Sequence, residues 1–307
     1  MPRALQYSEY GGPEVLRLVD IDLPEPAAGQ VRIRARAAGV NPIDWKMRNG
    51  FYAQGEPLAA PAGSGFEVSG VIDAVGPDVD GWAVGQAVFG QIRSGGAVAT
   101  HVLAPVDSLV ARPDWLDDEQ AAALPVVVET AYRTLRELGL RSGHTLLVHS
   151  AAGGVGLVAS QLARVWGASV VVGTASERNH AYLRELGVVP VDYAGDDLLG
   201  RIRAAAPQGV DLVLDGSGRG VLPLSVELTG SPDKVISIAD GRAAEHGVRF
   251  SAGGPFVPAM TAVLPLLENG TVRVPVEHVY PLDRAVDAYR LSEGGHVRGK
   301  IVIRIED

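Results

Sequence analysis

The sequence predicts an α/β protein in two parts, a β-rich domain followed by a doubly wound parallel-sheet domain. Three observations carry this reading. At 307 residues the chain exceeds the usual size of a single core. Its first third consists of short alternating segments broken by Gly and Pro, and from about Asp117 strand-like and helix-like segments take turns.

In the first part, residues 31–37 alternate apolar and polar side chains at period two, and residues 67–75 repeat the pattern less strictly. Turns are marked by Gly11-Gly12-Pro13, Gly76-Pro77 and Gly81. Half-buried strands joined by tight turns give this spacing. Asp117-Asp118-Glu119-Gln120 then offers a cap and an acidic first turn for a helix reaching Ala123. A longer helix is predicted over 130–138, stopping near Gly139. Strands follow at 145–149, 169–173, 189–193, 211–214, 235–238 and 248–250, with helices at 154–166, 177–186 and 197–206. Such alternation builds βαβ units and a parallel sheet covered on both faces. Helical patterns at 258–268 and 283–291 precede a closing strand at 300–305. If that strand returns to the first part, the parallel-sheet domain is an insertion, with expected boundaries 1–124 plus 258–307 for one domain and 125–257 for the other.

Composition narrows the partners. A formal net charge of −9 and a pI near 5.3 argue against nucleic acid and anionic membranes, both of which reward a basic face. Cysteine is absent, which removes disulfides, thiolate nucleophiles and cysteine-ligated zinc. Residues 1–12 read as strand and turn rather than as a targeting segment. The apolar stretch 121–128 is broken by Pro125 and too short to span a bilayer. A cytoplasmic protein is expected. His101, His149 and His296 show neither metal-ligand spacing nor pairing with a nucleophile and read as structural or surface histidines.

Chemistry enters at His149-Ser150-Ala151-Ala152-Gly153-Gly154-Val155-Gly156. This is the dinucleotide fingerprint G-x-G-x-x-G with alanine at the first glycine. Gly153 lets the backbone approach a pyrophosphate, and Gly156 lets the next helix pack closely on the strand. The helix N-terminus presents unpaired N–H groups to the phosphates. Ala152, Gly153, Gly154, Val155 and Gly156 are therefore candidate cofactor residues. An NAD site carries an acid about 20 positions on, at the end of the second strand, to hold the ribose hydroxyl. Here Gly173-Thr174 occupies that place, and Ser176 and Arg178 follow, suited to a 2′-phosphate. Tyr193, at the end of the third strand, is placed to cover the same phosphate. NADPH is the expected cofactor, although Ser176-Glu177-Arg178 also reads as a helix cap with a solvated first turn.

These residues resemble a known family. The run from Gly143 through Gly156 is similar to the signature of the zinc-independent quinone oxidoreductases, the zeta-crystallin-like branch of the medium-chain dehydrogenase/reductase superfamily. The resemblance extends to Gly39-Val-Asn-Pro-Ile-Asp44, Gly65-Phe-Glu-Val-Ser-Gly70, Ala122-Ala-Leu-Pro125 and Gly295-His-Val-Arg-Gly-Lys300. It implies a GroES-like β-domain joined to a Rossmann domain, with the active site in the cleft between them, and a homodimer. In the zinc-dependent branch a cysteine ligand stands where this chain has Asn41, and a Gly-His-Glu motif stands where it has Gly65-Phe66-Glu67. Phenylalanine cannot bind zinc and asparagine binds it poorly, so no catalytic metal is expected.

The resemblance places Asn41 beside the nicotinamide, where its amide orients the ring or a substrate carbonyl. Tyr52 is similar to the tyrosine that lines this pocket in related reductases, and reads either as proton donor or as loop packing. Asp44 and Glu67 read as buried structural carboxylates. Thr130 is implied near the cofactor carboxamide, with Glu129 before it unusual. Gly216, Ser217, Ile238, Phe250 and Ser251 follow predicted strands and are expected to line the nicotinamide, since ligands of such sheets bind at the carboxyl ends of strands. Lys300 reads as a cofactor or substrate contact, or as a solvated strand end. The expected activity is NADPH-dependent hydride transfer to a quinone or other conjugated carbonyl acceptor. The alternatives are an enoyl or alkenal reductase on the same scaffold, or a nucleotide-binding protein without turnover.

Overall fold

The alternation in the first third becomes antiparallel sheet, and the alternation of strand and helix after it becomes parallel sheet. The computed structural model describes residues 1–53 and 55–305; Gln54, Glu306 and Asp307 lie outside the described residues. Two compact units result: 1–126, 255–261 and the chain from Val274 onward form the first, and 127–254 with 262–273 form the second.

The first unit contains β1 (Arg3–Tyr7), β2 (Arg17–Asp20), β3 (Gln30–Val40), helix α1 (Pro42–Arg48), β4 (Ala62–Gly63), β5 (Glu67–Val75), β6 (Ala87–Gln91), β7 (His101–Pro105), β8 (Leu109–Ala111) and helix α2 (Asp118–Ala122). Asp117 caps α2 by accepting a hydrogen bond from the Gln120 N–H, as the sequence predicts. β3 is the hub, pairing antiparallel with β5 and with β7. Period-two alternation turns Val31 and Ile33 of β3 and Val68 and Ile72 of β5 into a common core. Helix α1 begins where β3 ends: Asp44 Oδ2 accepts the Asn41 N–H at 2.9 Å, and Pro42 fixes the first helical φ.

Helix α3 (Pro125–Glu137) leads to the second unit, followed by β9 (Thr145–His149), α4 (Gly154–Val165), β10 (Val170–Ala175), α5 (His180–Glu185), β11 (Val189–Asp192), α6 (Leu198–Ala205), β12 (Leu212–Asp215), α7 (Leu222–Thr229), β13 (Val235–Ser237) and β14 (Arg249–Phe250). Six strands among the described residues form one sheet in the order β11-β10-β9-β12-β13-β14, parallel throughout. This is a doubly wound, Rossmann-type sheet, with the order reversing between β9 and β12. Leu147, Val172, Val213 and Val235 bury its centre against helices such as α7, through Leu222.

Helix α8 (Phe256–Glu268) contributes residues to both units. β15 (Val276–Pro281), α9 (Ala285–Gly294) and β16 (Lys300–Arg304) then complete the first. The closing strand does return: β16 pairs antiparallel with β3, Ile301 opposite Val40, and parallel with β15. Three differences from the sequence expectations have physical causes. Helix α3 starts at Pro125 rather than near residue 130, because burial of Val127 and Val128 outweighs the mild helix aversion of β-branched residues. The helix expected over 177–186 opens with a 3₁₀ turn, Glu177–Asn179, before α5. Helices α1 and α7 went unforeseen, each being at most two turns long with proline in its first turn.

Candidate functional site

The candidate cofactor residues other than Lys300 lie in the second unit. β9 ends at His149, Ser150 takes a left-handed φ of 64°, and Gly153 caps α4. The two glycines of the fingerprint differ in what demands them. At Gly156 a Cβ would stand 2.7 Å from Ala151 Cα, so close packing of α4 on the loop requires glycine. At Gly153 the φ is an ordinary −74° and the nearest protein atoms to a Cβ, the Ser150 oxygens, would lie at 3.4 Å. Neither backbone strain nor packing excludes a side chain there. What the missing side chain provides is bare backbone at a helix N-terminus, the surface a pyrophosphate needs. The residues present therefore fit a dinucleotide.

A chain of buried polar groups holds this loop. Ser225 Oγ donates to Val221 O at 2.7 Å, so it accepts from His149 Nε2–H at 3.2 Å. His149 Nδ1 then accepts from Thr174 Oγ1 at 3.1 Å, and Thr174 Oγ1 accepts the Ser150 N–H at 3.3 Å. Only a neutral His149 with its proton on Nε2 satisfies all four contacts. Burial depresses its pKa to about 4, against a smaller opposing pull from Asp215. The left-handed Ser150 is thus pinned through β10 and α7. Sequence reasoning placed His149 among structural histidines without seeing this tie.

At the next strand end, Ser176 Oγ accepts a hydrogen bond from Asn179 Nδ2 at 3.2 Å. Arg178 is exposed and makes no hydrogen bond or ion pair with the described residues, so its guanidinium is available to a phosphate. Tyr193 follows β11 and is exposed; β11 pairs with β10 so that Asp192 faces Ala175. The parallel sheet thus brings Ser176, Arg178 and Tyr193 to the same carboxyl edge as the glycine loop.

The remaining predicted residues of this unit divide. Gly216 and Ser217 form a turn organised by buried Asp215, whose Oδ1 accepts from the Ser217 N–H and Oγ–H at 2.8 Å each and whose Oδ2 accepts from Ser237 Oγ at 2.8 Å. Ile238 follows β13 and donates its N–H to Asp215 O, and Phe250 ends β14, so all four sit at the carboxyl edge. The Ser251 hydroxyl is committed elsewhere: it donates to Glu137 Oε2 at 2.7 Å and accepts from Arg133. Arg133 in turn pairs with buried Glu129 at 2.6 Å, which accounts for the acid before Thr130. Thr130 itself is half-buried on α3, its hydroxyl 3.4 Å from Glu129 Oε2. Asp215 and Arg133 escape sequence reasoning because Ser237 lies 22 residues from the first and Ser251 118 residues from the second.

In the first unit Asn41, Glu67 and Lys300 form a buried trio. Lys300 Nζ donates to Glu67 Oε1 at 2.6 Å, Asn41 Oδ1 at 2.5 Å and Val40 O at 2.9 Å. Asn41 Nδ2 donates to Glu67 Oε1 at 2.7 Å, and the Val126 N–H reaches Glu67 Oε2 at 2.8 Å. Lys300 and Asn41 are each 3 % exposed and Glu67 fully buried. Lys300 is therefore neither a solvated strand end nor free to contact a ligand through its ammonium group. The Asn41 carbonyl is spent as well, and one Nδ2 proton remains.

Beside the trio, a pocket of about 210 Å³ is lined by Tyr7, Tyr52, Leu58, Phe66, Arg93 and Asp44, among others. Tyr52 is exposed overall and meets Phe51 edge-on at 5.0 Å; partial burial of its phenol pushes its pKa up. Phe66, which stands at the place of the histidine in the zinc-dependent motif, forms part of the pocket wall. No group of three or more His, Asp or Glu suited to a metal exists among the described residues.

Comparison with known proteins agrees with this geometry. Residues 27–114 match the alcohol dehydrogenase GroES-like domain, and residues 186–303 a zinc-binding dehydrogenase model. The chain is 33% identical to a 2-methylene-furan-3-one reductase of Solanum lycopersicum, over 98% of its own length and 78% of that protein. It superposes on the quinone oxidoreductase of Coxiella burnetii with a TM-score of 0.90 and 32% identity, covering 99% of both chains. It also superposes on the Escherichia coli quinone oxidoreductase complexed with NADPH, with a TM-score of 0.87 and 25% identity, covering 98% of this chain and 99% of that one. On this likeness over nearly its whole length, the chain belongs to the medium-chain dehydrogenase/reductase superfamily, among its quinone oxidoreductase-like members.

Proposed function

We propose that the chain is an NADPH-dependent reductase of quinones and other carbonyl-conjugated alkenes that works without a metal. The observation that carries this is the pairing of an intact phosphate loop and an uncommitted Arg178 with aromatic and amide side chains at the former zinc-ligand positions. NADPH, when bound, supplies hydride from its nicotinamide ring. Gly153 and the first turn of α4 hold the pyrophosphate, Ser176, Arg178 and Tyr193 hold the 2′-phosphate, and the Asp215-ordered turn at Gly216-Ser217 lines the nicotinamide side. The pocket of the first unit takes the acceptor.

With no Lewis acid, the protein polarises a simple ketone poorly, and an acceptor already electron-poor by conjugation suits it better. A quinone and a 2-methylene-furan-3-one share that feature. The spare Nδ2 proton of Asn41 is a donor for the substrate oxygen, held in orientation by Lys300 and Glu67. The test is NADPH oxidation by the purified protein against a small panel of quinones, enones and saturated ketones. Turnover of conjugated acceptors alone is expected, and equal turnover of saturated ketones would overturn the reading.

A further inference from the structure

Asp44 is a buried acid in the wall of the first unit's pocket, and half of its carboxyl is unused. Oδ2 accepts the Asn41 N–H at 2.9 Å and the Tyr289 hydroxyl at 3.3 Å, whereas Oδ1 is buried with no hydrogen-bond partner. A helix cap needs only one oxygen, so capping explains Oδ2 and not Oδ1. An orphaned buried acceptor is destabilising, and a bound ligand or a proton relieves that cost. The residue is 3 % exposed and lines the pocket described above.

The charges around it offer no counterion of its own. Lys300 on β16 is taken by Glu67 on β5, and Arg48 on α1 by Glu293 on α9. Tyr289 on α9 and Tyr7 on β1 are further ionisable neighbours, and Tyr10, Tyr52 and Arg93 line the same pocket. Burial raises the Asp44 pKa to about 7, with Glu67 pushing the same way and the Asn41 N–H, Lys300 and Tyr289 opposing. Tyr52, a phenol of the same pocket, is raised from an already high value and gives up a proton less readily near neutrality.

We propose that the Asp44 carboxyl group is the proton donor to substrates bound in this pocket, a role that rests on the reductase reading above. The substrate accepts hydride, with its electron pair, at the carbon conjugated to its carbonyl, and NADPH is oxidised to NADP⁺. The displaced π pair settles on the substrate oxygen. The Asp44 O–H bond then breaks, its pair staying on the carboxylate, and the proton forms the new O–H bond of the enol. For a quinone this enol is a tautomer that enolises to the hydroquinone by exchanging a C–H proton for a second O–H proton through water. Water reprotonates Asp44 before the next turnover.

The experiment measures steady-state NADPH oxidation against pH, with menadione and methyl vinyl ketone as acceptors, for the wild type, Asp44→Asn and Tyr289→Phe. Asp44→Asn keeps a side-chain oxygen for the Asn41 N–H and removes the transferable proton. In the wild type kcat should fall as pH rises through the titration of Asp44. Asp44→Asn should lower kcat about a hundredfold and abolish that limb, with KM and NADPH affinity within about twofold. Tyr289→Phe removes a donor that favours the carboxylate, so it should shift the limb to higher pH while activity persists. Wild-type kcat in Asp44→Asn, or an unchanged limb in either variant, would overturn the donor assignment alone. A wild type that binds NADPH but reduces neither acceptor would remove the reductase reading and this proposal with it.

Discussion

Two buried side chains pull the pH dependence of stability in opposite directions. His149 has a folded pKa of about 4 against an ordinary 6.5, so its contribution is complete above 6.5 and lost as pH falls towards 4. Asp44 is raised from 3.8 to about 7, so its contribution is complete below 3.8 and lost as pH rises towards 7. Each group alone gives a slope of up to about 1.4 kcal/mol per pH unit, and between pH 4 and 6.5 the two slopes largely cancel in the wild type. Urea denaturation at several pH values should therefore show His149→Gln losing stability as pH rises through this window, and Asp44→Asn gaining it. Profiles of both variants parallel to the wild type would show that neither group titrates as described. Arg178 gives a second prediction at this scale. NADPH should bind at least about tenfold more tightly than NADH, and Arg178→Ala should erase most of the difference, since one charge-assisted contact contributes about 1.5–3 kcal/mol. Isothermal titration of both cofactors decides it, and equal curves for the wild type would refute it. Gly153 and Gly156 are legible in the sequence because a glycine pattern reports a local backbone need. The meaning of His149 and Asp44 is not, because their shifted ionisation arises from burial by distant segments, the same ones that bring Ser225 to His149 and Tyr289 to Asp44.

At the scale of elements, the strands were the most readable. β9 and β5 follow the sequence boundaries, β9 as an unbroken run buried on both faces of a parallel sheet and β5 as a loosely alternating one. Short helices such as α7 were not, because Leu222–Thr229 carries a proline and scattered apolar residues, and gains its helical state from docking against β12 and β13. The Lys300–Glu67–Asn41 trio is likewise invisible locally, since it joins β16, β5 and the entry to α1 across more than 230 residues. Its stability role is testable. Lys300→Met leaves the Glu67 carboxylate buried without its cation, and should cost about 3–5 kcal/mol in chemical denaturation. Lys300→Met combined with Glu67→Gln removes both charges and should recover more than half of that loss. A single variant within about 0.5 kcal/mol of the wild type would show that the trio is not structural.

For the molecule as a whole, the two-part architecture was legible in the sequence and the return of the last strand only a conditional reading of it, settled by its pairing with β3, while the expectation for assembly starts from an edge. β14 ends the parallel sheet with two residues, Arg249 and Phe250, paired on one side with β13. Ser251 donates its N–H inward to Ser237 O, and backbone groups of successive strand residues alternate in direction, so the Phe250 N–H and C=O face outward. An outward edge of unpaired backbone groups invites another strand unless something covers it. A second copy approaching about a two-fold axis would pair β14 with itself and put the same patch on both subunits. The expected state is therefore a homodimer at micromolar concentration, with twice the 32.1 kDa chain mass in light scattering. Phe250→Pro removes the outward donor while leaving the inward bonds of Arg249 and Ser251 in place, and proline is tolerated at a strand edge. That variant should shift the mass towards a monomer without a comparable loss of thermal stability. A wild type at 32.1 kDa under the same conditions would refute pairing through β14. A dimer that survives Phe250→Pro unchanged would move the interface to another surface.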